Sequence, residues 1–136
     1  MNPNTLNLIS LARKGGFAEL GEDAVGAAAR DGHARLILVA ADASEHTYRR
    51  TQNFARTAGC PVVRMETSKQ ALGYALGRST CAMAAVTDPG LALSVGKALG
   101  TLPPADLELL EQFEAKQRRL RSEAKAHKMN LKHRKK

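Results

Sequence analysis

The chain has 136 residues, about one ordinary domain, which is long enough to bury a core without disulfide or metal staples. Its formal charge is +8, and a polyanion is the most economical partner for such a surface. That charge is uneven: residues 1–102 carry eleven Lys/Arg against eight Asp/Glu, whereas residues 103–136 carry ten against five.

Cys60 and Cys81 lie in apolar settings with no CxxC pair and no Cys/His cluster at ligand spacing, so a disulfide framework and a zinc site are both disfavoured. Met1 to Ser10 has no basic region followed by an apolar one, and no stretch approaches the roughly 18 apolar residues of a membrane span. The expectation is a cytoplasmic protein with no membrane association, monomeric when free.

Along the chain, Leu6, Ile9 and Arg13, or Leu8, Leu11 and Ala12, recur at helical spacing until Gly15 and Gly16 stop the helix. Phe17 to Leu20 is a candidate edge strand, and Gly21-Glu22-Asp23 leads into an alanine-rich helix over Ala24 to Arg30 whose acidic start suits the positive end of its dipole. Leu36 to Ala41 is a continuous apolar run too short for a free helix, which predicts a strand covered on both faces at the sheet centre.

Ser44 can cap a helix to Ala58, and Gly59-Cys60-Pro61 breaks it before a strand over Val62 to Met65. Strand, helix, strand implies a parallel pair. Thr67 or Ser68 then caps a helix to Leu76, Gly77 to Thr80 forms a loop, Cys81 to Val86 is a further strand, and Asp88-Pro89-Gly90 opens a helix to Leu99.

This alternation predicts an α/β fold, a three-layer α/β/α sandwich around a four-stranded mixed sheet, followed by a C-terminal basic helix. Gly100 to Pro104 is the expected boundary, giving a core domain over 1–102 and a tail over 103–136. In the tail Leu107, Leu110, Phe113 and Gln117 or Leu120 mark a helix face. From Lys116 onward ten basic residues meet only Glu123, a run expected to begin helical and to be frayed or disordered by Lys132 to Lys136.

Little points to catalysis. No nucleophile signature surrounds Cys60, Cys81 or a serine beside His33, His46, His127 or His133. There is no GxGxxG after a strand and no GxxxxGK[ST], so no cofactor is expected and the chain is read as a non-enzyme. Gly21 precedes a helix whose free N–H groups could meet a phosphate or a base edge.

Gly21-Glu22-Asp23, LILVAADAS at Leu36 to Ser44, PVV at Pro61 to Val63, TSKQALGYALG at Thr67 to Gly77 and AAVTDPG at Ala84 to Gly90 together resemble one known family. It is the kink-turn RNA-binding family of ribosomal proteins and box C/D core proteins, in its small bacterial YlxQ-like branch, and the resemblance covers about residues 5 to 99. In that family the start of the helix after the first strand and the loop before the last strand form the RNA site, which places Gly21, Glu22, Asp23, Arg78, Ser79, Thr80 and Cys81 there. Where family members carry Asn, Glu and Lys to read sheared G·A pairs, this chain has Asp23, Ala24 and Ala27. Lys69 matches a family lysine near the RNA, and Tyr48 falls where an apolar side chain flanks the site.

Arg13, Lys14, Lys69 and Arg78 are then expected to contact phosphates. In the tail Lys116, Arg118, Arg119, Arg121, Lys125 and Lys128 are expected to add salt-dependent, non-specific affinity. The function implied is a non-catalytic RNA-binding protein for structured, kink-turn-like or ribosomal RNA in ribosome assembly or translation, with ribosomal or translation-factor proteins as possible partners. The alternative is a protein-interaction module of the translation or transcription apparatus that has lost specific RNA reading.

Overall fold

A computed structural model describes residues 2–134, with side chains to residue 131. Its elements in order are α1 (Pro3–Lys14), β1 (Ala18–Leu20), α2 (Glu22–Arg30), β2 (Leu36–Val39), α3 (Glu45–Ala58), β3 (Val62–Arg64), α4 (Lys69–Ala75), β4 (Met83–Val86), α5 (Pro89–Leu99) and α6 (Pro104–Arg134).

Local chemistry fixes most of the boundaries. Ser44, Ser68 and Asp88 each turn a side-chain oxygen back onto a first-turn amide, of Thr47, Ala71 and Leu91 respectively, satisfying donors that the helix leaves open. Gly59 and Gly100 close α3 and α5 in the left-handed region, at φ 67° and 70°. The strands are shorter than the apolar runs suggest: β4 starts at Met83 rather than Cys81, and β3 ends at Arg64. α2 begins earlier than expected, at Glu22, because Gly21 can take the φ of 87° from which the chain turns straight into the helix.

The sheet order is β1-β4-β2-β3. β2 and β3 run parallel, as the crossover requires, while β4 is antiparallel to both β1 and β2. Every residue of β2 and β4 is buried, as expected for strands covered on both faces. One face packs Leu36, Leu38, Ala84 and Val86 against Ile9 of α1, Leu72 of α4, Leu76 that caps it and Val95 of α5. The other packs Ile37, Met83 and Ala85 against Val25 and Ala28 of α2 and Ala55 of α3. These are the three layers of the sandwich.

The core does not stop at Leu102. Leu110 of α6 is fully buried, and Phe113 packs against both core clusters. α5 makes room for it at Gly96, where an added Cβ would sit 2.7 Å from Leu110 Cδ1 and 2.9 Å from Leu102 Cδ1. The first three turns of α6 therefore belong to the globular body, and only the later turns are free. Those later turns are regular helix to Arg134, not frayed from Lys132; Lys135 and Lys136 lie outside the described residues.

The directions of the strands define two poles. The C-terminal ends of β1, β2 and β3 and the N-terminal end of β4 share one pole. Asp88, beyond the C-terminal end of β4, lies at the other, and Gln117 and Arg121 of α6 approach its Oδ1 at 3.3 and 4.0 Å.

Candidate nucleic-acid interface

The first pole gathers most of the residues singled out in the sequence. Gly21 follows β1 and caps α2, and its N–H donates to the Met83 carbonyl at 3.1 Å, which ties the start of α2 to the start of β4. Arg78, in the loop between α4 and β4, reaches the same spot: its Nη1 lies 3.9 Å from where a Cβ on Gly21 would be. The N-terminus of α2 and the α4–β4 loop are thus neighbours, and the surface they share is the mouth of this pole.

Backbone bonds hold that loop in place. The Cys81 N–H donates to the Lys69 carbonyl and the Arg78 N–H to the Gly73 carbonyl, each at 2.8 Å. Asp42, after β2, accepts the Lys69 N–H at 2.7 Å. Lys69, Arg78, Ser79 and Thr80 are exposed at this pole, and Arg13 lies across the loop with its guanidinium on the open face of Gly77. Lys14 is exposed but points about 100° further round α1 than Arg13, as consecutive helical residues do.

Charge at the mouth is mixed with a cationic balance. Arg13, Lys69 and Arg78 are exposed there, as are Asp23 and Asp42. Glu22 is paired with Arg50 of α3, whose guanidinium also covers the Phe54 ring at 5.5 Å, so its charge is neutralised locally. The start of α2 presents free backbone N–H groups and a positive dipole end, with Glu22 paired and the exposed Asp23 carboxylate beside them.

Two of the expected residues are less accessible. Tyr48 is half-buried, and its ring is covered by Arg64 at 4.6 Å, on the β3 side of the pole. Arg64 is held there by the Ala43 carbonyl at 3.0 Å and by Glu45 at 3.8 Å. Cys81 is 5 % exposed, and its thiol donates inward to the Met83 carbonyl at 3.0 Å, so it shapes the mouth from behind.

Residues 4–95 match the ribosomal protein L7Ae/L30e/S12e/Gadd45 family. The chain belongs to that family. Among solved structures it is similar to a protein of unknown function from Bacillus halodurans C, at 24% identity with a TM-score of 0.67, covering 74% of this chain and 99% of the other. It is also similar to the Giardia lamblia 15.5kD RNA binding protein, at 23% identity with a TM-score of 0.53, covering 81% and 84%. No curated protein matches the chain. Among the described residues no helix is long and apolar enough to cross a membrane.

On this L7Ae-family scaffold, sequence reasoning missed three residues that set the mouth. Gly73, inside α4, lets the loop pass so close that an added Cβ would be 2.6 Å from Thr80 Cα. Its signal was a glycine kept inside a helix, where it costs about 1 kcal/mol against alanine and so marks a close approach. Asp42 and Arg50 act through long-range partners and left no local signal.

Burial pushes the Cys60 thiol up to about 12, with the Arg35 charge opposing. Burial also raises Cys81, against hydrogen bonding with the Met83 and Gly21 backbone and the Arg78 charge. A raised thiol pKa leaves the neutral, unreactive form dominant near neutrality. Both cysteines are therefore expected to resist iodoacetamide in the native protein at about pH 8 and to react on unfolding, read by mass spectrometry. Rapid native modification of Cys81 would mean that the mouth is open behind the loop.

Proposed function

We propose that the chain is a non-catalytic binder of structured RNA, taking a bent or opened-out segment into the mouth between Gly21 and Arg78. What carries this reading is the juxtaposition of a helix N-terminus with an exposed, cationic loop at one end of an L7Ae-family sandwich. Two features make such a mouth suited to RNA. RNA readers target bends and loops where bases leave the stack, and free backbone amides with short polar side chains such as Ser79 and Thr80 can enter such a bend. Arg13, Lys69 and Arg78 surround it as phosphate contacts, with Lys14 at the margin.

The site-reading groups fall to Asp23, the α2 amides and the loop, because Ala24 and Ala27 offer no polar atoms. Beside them a shallow 340 Å³ hollow lined by Glu19, Ala24, Ala27, Asp31 and His33 carries two acids, which turn phosphate away from the flank of α2. The RNA backbone is accordingly steered over the loop side. Kink-turn-like RNA, including ribosomal RNA, is the proposed target, and ribosome assembly or translation the proposed setting.

The same alanine-lined hollow favours the second reading, a family scaffold that binds a protein through the α2 flank instead. Fluorescence anisotropy separates the two, using a kink-turn hairpin and the same RNA with its internal loop closed into continuous duplex. The expected result is tighter binding of the kinked RNA. Arg78→Ala should weaken it about tenfold, close to the ~1.5 kcal/mol of one charge-assisted hydrogen bond, and Asp23→Ala should lower the preference for the kink. No binding of either RNA at low salt, with cellular partners that survive nuclease, would establish the second reading.

A further inference from the structure

The free part of α6 is left without a role by the mouth. α6 runs back along α5, from Gly96 to Asp88, and carries Phe113 across the end of the sheet beneath the Arg35 guanidinium, 5.2 Å from the ring. It then continues past Asp88 as exposed helix. Asp88 is separated from Cys81 by the length of β4 and its flanks, about 20 Å of extended chain, so the tail leaves from the pole opposite the mouth. It cannot reinforce the mouth's own contacts on a short RNA.

Its charge is organised. Arg118, Arg121, Lys125 and Lys128 recur at intervals of three, four and three residues, which places them within an arc of about 80° and along about 15 Å of helix. All four are exposed, and Glu123 lies on the far side of the helix from them. The stripe is fixed at its root, where Arg118 meets Glu114 at 2.9 Å and Arg121 approaches Asp88, and among the described residues Lys125 and Lys128 have no acidic partner further out. At the root Arg35 and Lys116 add two cations around a shallow 400 Å³ hollow.

The partner that fits is a polyanion with a regular surface. Exposed apolar residues are too few and too dispersed for a bilayer: Leu120 and Leu131 share one face, Met129 lies opposite, and no aromatic residue follows Phe113. A helix is also too wide for the deep, narrow major groove of duplex RNA, so its contacts are to the phosphates and the shallow minor-groove side, with no sequence requirement.

We propose that the free half of α6 is a second RNA surface that grips duplex phosphates while the mouth holds a bent segment, so that one molecule bridges two RNA helices. The bridging rests on the RNA reading of the mouth, whereas the tail surface stands on its own geometry.

The test uses the full chain and the charge-reversed variant Lys125→Glu/Lys128→Glu, both substitutions being at exposed sites. A labelled unbent RNA duplex of about 20 base pairs is titrated first against free protein, then against protein already held on an immobilised kink-turn hairpin. The expected result is duplex binding in both formats, weakened at least tenfold by charge reversal at about 0.1 M salt, with hairpin binding unchanged. Duplex binding that survives reversal, no duplex binding at low salt, or preferential capture of the chain by anionic vesicles overturns the tail surface. Release of the hairpin by the duplex overturns bridging, because the two RNAs then share one site. If the hairpin is not bound while free protein still takes the duplex through Lys125 and Lys128, the mouth reading and bridging fail and the tail surface stands.

Discussion

Gly73→Ala should destabilise the protein by about 1–3 kcal/mol, the usual cost of forcing an extra group into a packed interior. The direction is the informative part. In an ordinary helix interior the same change stabilises by up to about 1 kcal/mol, because alanine is the better helix former. Here the new methyl would lie 2.6, 2.7 and 2.8 Å from the Cα, C and N of Thr80, which are backbone atoms that no rotamer change can move aside. The α4–β4 loop must shift, straining the Arg78 N–H bond to the Gly73 carbonyl and the Cys81 N–H bond to Lys69. Chemical denaturation reads the stability loss, and the same variant should bind kinked RNA more weakly because Arg78 moves with the loop. A variant as stable as the parent would show that the loop does not rest on α4.

On an RNA long enough to reach both poles, deleting residues 116–136 should flatten the salt dependence of binding more than any point substitution in the mouth, because it removes ten cations at once. If about four of them engage phosphates, the slope of log affinity against log salt falls by about 3 to 4. The loss should be largest for an RNA long enough to reach both poles. The body should remain folded, since the anchoring contacts of Leu107, Leu110 and Phe113 precede the cut. Equal slopes for the full and shortened chains on such a long RNA would remove the tail from RNA binding.

Much of the fold was legible because its signals are local. The apolar runs at Leu36 and Cys81 could be satisfied only as buried strands, and Ser44, Ser68 and Asp88 announced helix starts by a chemistry that works within four residues. The parallel pairing of β2 and β3 followed from the intervening helix. The antiparallel insertion of β4 between β1 and β2 did not, because strand order is a property of the closed sheet.

The same division holds at the site. Gly21 and Arg78 were marked by the family pattern, and the structure brings them together. Tyr48 was marked too, yet Arg64, sixteen positions away, takes its ring. The apolar face of Leu107, Leu110 and Phe113 was visible in the tail, whereas the docking site, a notch at Gly96 in α5, was not. Reading the prolines at 103 and 104 as the end of the core therefore placed the edge of the body about three turns too early.

Amide chemical-shift mapping of the labelled full chain, titrated with a kink-turn hairpin at low salt, tests the central claim most directly. The largest changes should fall on Gly21 to Asp23, Lys69 and Arg78 to Cys81. Changes confined to α6, or centred on the α2 flank around Ala27 with the loop silent, would contradict it.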